Sequence, residues 1–281
     1  MRMLNPVAAY LPRPAGKTRR STDLPRARTS HTEHGKRSLV VAGVGSPTVV
    51  FESGIGSGKE VWGSVFNEIS QNTRAVAYDR AGYGGSDRAT TKREPMQLVR
   101  ELRAMLKEEG IAPPYLLVGH SMGGMIMKLY ARAFPHEIAG VVLVDARHSD
   151  FARRCRQVGV PRIFYEPPAA LFMLARAAIR GEMAASSSNS GASHKVGPFP
   201  SVPLVVLTQN KAAARWPKGL ARLWVASQRN MVRMSKMSRM EVCDNSGHNV
   251  HRDRPDLVVK AVLNVMKAAR YLVDQSQRRL F

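Results

Sequence analysis

Two short segments of this chain carry residue types that could together make a working nucleophile. Gly119-His120-Ser121-Met122-Gly123 has the form G-x-S-x-G. A serine hydroxyl is a poor nucleophile until a base takes its proton, so Ser121 needs a histidine. Of the 8 histidines, His31 and His34 lie in a basic N-terminal stretch, and His136 follows Pro135 at a helix end. His148 and His194 flank an irregular region, and His120 adjoins Ser121, where neighbours on a tight turn point different ways. His248, in Ser246-Gly247-His248-Asn249, is the candidate general base. The two cysteines, Cys155 and Cys243, match no metal or redox spacing. The chemistry to expect is covalent catalysis by serine, with no metal or organic cofactor.

The elements around these residues decide whether they can meet. Tyr115–Val118 reads as a buried strand and Met122–Phe134 as a helix stopped by Pro135, so Ser121 falls on a strand-to-helix junction. A turn that tight leaves no room for side chains beside the serine, which accounts for Gly119 and Gly123. Other predicted strands are Ser38–Val44, Pro47–Glu52, Thr73–Tyr78, Ile138–Val144, Val202–Thr208 and Arg239–Cys243. Helices are expected over Val61–Ser70, from Pro95 to before Gly110, over Trp216–Arg229 and from Pro255 to about Val273. Alternating strands and helices predict an α/β fold with a mostly parallel central sheet flanked by helices. His248, between the last strand and the last helix, then lies at the same sheet edge as Ser121. Residues 148–200 break the rhythm, with an apolar piece (Ala169–Ile179) and a Ser/Gly-rich stretch (Ser186–Ser193), and read as a small, partly helical cap insertion. Residues 1–37 read as a basic, disordered tail, and 38–147 with 201–275 as the core.

From about residue 38 to 273 the chain resembles the α/β-hydrolase superfamily. Four segments carry the resemblance: Phe51-Glu52-Ser53-Gly54-Ile55-Gly56, Tyr78-Asp79-Arg80-Ala81-Gly82-Tyr83-Gly84-Gly85-Ser86, the G-x-S-x-G turn, and Ser246-Gly247-His248 before Pro255. The resemblance implies a Ser–acid–His chain order and a backbone oxyanion hole. Its donors would be the N–H of Met122, just after the nucleophile, and the N–H of Ile55. Many relatives have His-Gly where this chain has Ser53-Gly54, which leaves the geometry of that loop open. Asp79 and Arg80 are expected to be structural rather than catalytic.

The acid is the less regular part. In most members it follows the strand that here is Val202–Thr208, yet Met183–Met240 contains no acidic residue and Thr208-Gln209-Asn210 offers only amides. Asp145 alone among the acids between Ser121 and His248 stands directly after a buried central strand. Some superfamily members, certain haloalkane dehalogenases among them, resemble such an arrangement. Asp145 is therefore the expected triad acid, with Asp150 and Asp244 as replacements.

Composition sets the outer bounds. The chain has 281 residues, 44% of them hydrophobic and 23% charged, enough for one large globular domain. No apolar window is long enough to span a membrane. The net charge is +22, concentrated in residues 1–38 and in Met183–Met240. Such a field favours weak contact with anionic surfaces, but without any nucleic-acid motif it predicts no specific nucleic-acid partner. Sparse cysteine favours a reducing compartment, and a cytoplasmic location is expected, with organelle targeting by the Arg/Ser/Thr-rich tail as the alternative. The combined expectation is a carboxylic ester hydrolase whose small-molecule substrate carries an apolar group, suggested by Leu171, Phe172, Met173, Leu174 and Ile179. A ligand-binding protein without catalysis and a haloperoxidase-like perhydrolase are the competing readings. Serine at the turn argues against dehalogenase or epoxide-hydrolase chemistry, which uses Asp there.

Overall fold

A computed structural model describes residues 23–162, 177–188, 196–210, 216 and 218–278. In chain order the elements are β1 (Arg28–Thr32), β2 (Gly35–Ala42), β3 (Thr48–Glu52), α1 (Gly63–Ser70), β4 (Ala75–Tyr78), α2 (Pro95–Glu108), β5 (Tyr115–His120), α3 (Met122–Ala133) and β6 (Ile138–Val144). They continue as α4 (Phe151–Gln157), α5 (Ala177–Ser188), β7 (Leu204–Gln209), α6 (Lys218–Val232), β8 (Ser238–Cys243), α7 (Val250–Asp253) and α8 (Pro255–Arg278).

The strands form one eight-stranded sheet in the order β1-β2-β4-β3-β5-β6-β7-β8. The pairs from β4 through β3 to β8 are parallel, and β1 and β2 join antiparallel at one edge. Central parallel strands must be apolar on both faces, and the pattern obeys this. Val50, Leu117, Val141, Leu143 and Val206 point to one face, where α2 and α3 cover them with Leu102, Leu106, Ile126 and Tyr130. Val49, Phe51, Leu116, Val118, Val142 and Leu207 point to the other, against Phe66 and Ile69 of α1 and Val258, Val262 and Val265 of α8. The result is an α/β-hydrolase fold with a mostly parallel sheet between helical layers.

Two boundaries differ from the sequence reading. β1 pairs with β2 from Arg28↔Leu39 to Thr32↔Gly35, so the sheet begins inside the segment assigned to the tail. Its residues RTSHT are mostly exposed and polar, which hides the strand from hydrophobic patterning. Within the insertion, α5 runs on to Ser188 and so enters the Ser/Gly-rich stretch expected to be a linker, while most of the apolar piece 169–179 lies outside the described residues. No helix among the described residues is long and apolar enough to cross a membrane.

Candidate active site

Ser121 sits between β5 and α3 with φ 53° and ψ −115°, a left-handed conformation costing an L-residue about 1–3 kcal/mol. The surroundings enforce it. The Ser121 N–H donates to Val144 O at 3.2 Å, and Ser121 O accepts from Arg147 N at 2.9 Å. A Cβ on Gly119 would stand 2.6 Å from Gly124 Cα, and one on Gly123 only 2.3 Å from Glu52 O. Both glycines are thus demanded by the crowding that lifts the serine from the sheet.

The strand ends bring the three expected side chains together. Ser121 Oγ lies 3.0 Å from His248 Nε2, and His248 Nδ1 lies 2.7 Å from Asp145 Oδ2. A carboxylate only accepts, so Nδ1 carries the imidazole proton and Nε2 offers its lone pair to the Ser121 hydroxyl. His248 is about a quarter exposed and Asp145 wholly buried. Asp150 instead accepts from Arg153 Nη2 at 2.9 Å, and Asp244 from Asn210 Nδ2 at 2.8 Å.

Asp145 follows β6 with φ 42°, and its N–H donates to Leu207 O at 2.8 Å. Its outer oxygen, Oδ1, faces Thr208 Oγ1 at 3.1 Å, Gln209 N at 3.3 Å and Trp224 Nε1 at 2.9 Å. The end of β7 is where the sequence lacked an acid. Its hydroxyl and amide groups serve as donors to an acid that arrives from the neighbouring strand. Trp224, on α6, is a contact that sequence reasoning missed. Its ring also stands edge-on to His248 at 5.7 Å and to Phe151 of α4 at 5.0 Å.

His248 is held through its backbone. Its carbonyl oxygen is 2.9 Å from His120 Nε2, so that nitrogen bears the proton and His120 is the Nε2–H tautomer. Burial, with His251 and His248 beside it, drives the His120 pKa well below the ordinary histidine value, so the ring is neutral. The residue just before Ser121 is therefore a support for His248, and its side chain packs against both His248 (4.7 Å) and His251 (4.4 Å).

Of the expected backbone donors, Ile55 lies in the loop after β3 and Met122 at the start of α3. Met122 N opens α3, where helix amides have no intrahelical acceptor. A Cβ on Gly54 would stand 3.4 Å from Ser121 Cβ, so the segment leading into Ile55 abuts Ser121. Ser53, in place of the more usual histidine, staples this loop: its Oγ donates to Gly58 O at 2.8 Å and accepts from Trp62 Nε1 at 3.0 Å. Asp79 accepts from Lys59 Nζ at 2.6 Å, Lys59 N at 2.9 Å and Gly85 N at 3.1 Å, a structural role. Arg80 is buried and reaches the Ser53 and Gly54 carbonyls.

Known proteins match this chain at the level of both sequence and fold. The sequence pattern of the alpha/beta hydrolase family matches residues 49–261. The uncharacterised Bacillus subtilis (strain 168) protein YqjL is 30% identical over 239 residues, covering 85% of this chain and 88% of that protein. A thermophilic esterase from Thermogutta terrifontis superposes with a TM-score of 0.62 at 19% identity, over 87% of this chain and 99% of that one. The enol-lactonase of Burkholderia xenovorans LB400 gives 0.60 at 19% identity, over 85% and 100%. With the sheet order and the strand–serine–helix turn already described, these matches identify the chain as a member of the alpha/beta hydrolase family.

Proposed function

We propose that this chain is a serine hydrolase of carboxylic esters, working through an acyl-enzyme. The observation that carries the reading is the relay from Ser121 Oγ to His248 Nε2 (3.0 Å) and from His248 Nδ1 to Asp145 Oδ2 (2.7 Å). Ser121 Oγ attacks the ester carbonyl while His248 Nε2 takes its proton. Asp145 holds the imidazole in the Nδ1–H form and stabilises the imidazolium. The oxyanion of the tetrahedral intermediate is received by the N–H groups of Ile55 and Met122, each worth about 10²–10³ in rate by analogy with measured oxyanion donors. His248 returns the proton to the departing alcohol, then activates water to release the acid and regenerate the Ser121 hydroxyl.

The substrate is a small molecule with an apolar group. Phe151, Ala152, Val160, Leu220 and Trp224 form an apolar cluster that reaches His248 through Trp224, which supports this choice. Similarity to an esterase and an enol-lactonase agrees with acyl transfer to water, and the neutral ester is the simplest such substrate. The experiment is labelling with a fluorophosphonate probe, mapping of the labelled peptide, and a screen over p-nitrophenyl esters of rising chain length. Labelling at Ser121 that is absent in Ser121→Ala, with ester turnover, is the expected result. Folded wild-type protein that neither labels nor turns over any ester would overturn the reading.

A further inference from the structure

Glu182 of α5 is fully buried, although it comes from the insertion between β6 and β7. Its Oε1 accepts from Arg80 Nε at 2.9 Å, and its Oε2 from Arg80 Nη2 at 3.0 Å and from Tyr83 Oη at 2.5 Å. Arg93 Nη2 stands 3.8 Å away, adding positive charge. The approach of α5 depends on two glycines. A Cβ on Gly82 would meet Ala178 Cβ at 2.4 Å, and one on Gly181 would meet Arg93 Cγ at 2.8 Å.

The other side of this ion cluster is the loop that contains Ile55. Arg80 Nη1 donates to Ser53 O at 2.8 Å and to Glu52 Oε1 at 2.5 Å, while Nη2 donates to Gly54 O at 3.1 Å. Tyr83 Oη, which donates its hydrogen bond to Glu182, accepts from Gly56 N at 3.2 Å. Both peptide groups that flank Ile55 are therefore tied to one buried cluster. A trans peptide is planar, with C=O and N–H pointing opposite ways. Pinning Gly54 O toward Arg80 consequently aims the Ile55 N–H away from Arg80. A cation on the carbonyl also polarises that amide and makes its N–H a stronger donor to a developing oxyanion.

We propose that Glu182 and Arg80 are positioning residues for the oxyanion hole, so that seating of the insertion helix on the core completes the Ile55 donor. The proposal rests on the serine-hydrolase reading above. A carboxylate at 182 is needed because it receives two Arg80 donors and one Tyr83 donor at once. Glu182→Gln sets its NH2 group either against Arg80 Nε or against Arg80 Nη2 and the Tyr83 proton, which loosens the anchors on Gly54 O and Gly56 N while nearly keeping the side chain's shape. Removing Arg80 outright would strand two buried carboxylates and risk the fold. Tyr83→Phe is the second variant, since it removes the Gly56 anchor and one Glu182 donor, leaves the Arg80 bond to Gly54 O in place, and keeps the ring beneath the Arg80 guanidinium, 4.6 Å from its centre.

The test uses the full chain with a p-nitrophenyl ester, active sites counted by fluorophosphonate titration, and a trifluoromethyl ketone as tetrahedral analogue. Glu182→Gln should lower kcat per titrated site by about 10–100-fold with KM within about twofold, as expected for a damaged oxyanion donor. Trifluoromethyl ketone affinity should fall in parallel. Tyr83→Phe should show the same pattern at smaller size. A wild-type kcat per titrated site in both variants, or a loss confined to the fraction of active protein, would overturn the positioning role and leave the hydrolase reading standing. Absence of turnover and labelling in wild type would remove both.

Discussion

Trp224 Nε1 lies 2.9 Å from Asp145 Oδ1, on the carboxylate oxygen that His248 does not use. The indole thus divides the work of a wholly buried carboxylate: three donors satisfy Oδ1 and leave Oδ2 to the imidazole. Trp224→Phe keeps an aromatic ring against His248 and Phe151 but removes the N–H. Loss of a hydrogen bond to a buried charge should cost about 1–3 kcal/mol, seen as a lower thermal midpoint. Because Thr208, Gln209 and His248 still hold Asp145, ester turnover should fall by less than about tenfold, or 1.4 kcal/mol. An unchanged midpoint would mean that the indole contributes nothing to holding the acid.

Asp145→Asn should be far more damaging to catalysis than to folding. The Asn oxygen can keep Thr208, Gln209 and Trp224 as donors, but its NH2 then faces His248 Nδ1. The imidazole must turn to the Nε2–H tautomer, which cannot accept the Ser121 proton. A fall in kcat of about 10⁴, as for the corresponding change in a serine protease, is expected with a near-native melting curve. Retained turnover in this variant would displace Asp145 from the relay.

Gly123→Ala tests the link between the Ser121 turn and the loop that contains Ile55. The added Cβ would press on Glu52 O at 2.3 Å and Ser53 O at 2.7 Å, backbone that leads directly into Gly54 and Ile55. Overpacking of this kind costs about 1–3 kcal/mol. Since the displaced backbone leads to Ile55, the proposed oxyanion donor, kcat should fall by about 10–100-fold in protein that remains folded. Thermal melting and steady-state ester kinetics on the same preparation separate the two effects.

Acid should unfold this protein partly through its buried histidines. Burial, with Arg252 and His248 nearby, lowers His251 to about 3, and His120 is also held well below the ordinary value. Both are neutral when folded, whereas in the unfolded chain they titrate near 6.5. Below that pH the unfolded state binds more protons, so their stabilising contribution is present above about 6.5 and declines as pH falls toward about 3. The slope approaches about 1.4 kcal/mol per pH unit for each histidine. His251→Phe, which keeps a ring beside Trp62 and His120, should flatten the curve of melting temperature against pH between 6.5 and 4. An unaltered curve would assign the acid sensitivity to other groups.

The sequence by itself determined the parts of this site that are local. Gly119 to Gly123 carry the strand end, the turn and the helix start within one short segment, and crowding there selects glycine on both sides of Ser121. His248 follows from chain order, because a loop after a parallel strand opens at the edge where Ser121 stands. The alternation of apolar runs likewise fixed a parallel sheet between helices, while the polar hairpin strand β1 escaped because exposed residues leave no hydrophobic signature.

Only the tertiary structure decided what lies behind those residues. Asp145 stood out in sequence by its place after β6, but that it, and not Asp150 or Asp244, contacts His248 depends on where β7, α6 and the His248 loop converge. Trp224 reaches Asp145 from 79 positions away, and Glu182 reaches Arg80 from 102. No periodicity or spacing encodes such pairings. A buried charge needs partners, yet nothing in the local sequence states which distant segment supplies them. For that reason Arg80 reads as structural from its motif alone, and its link to the Ile55 loop emerges only when the insertion helix packs against the sheet edge.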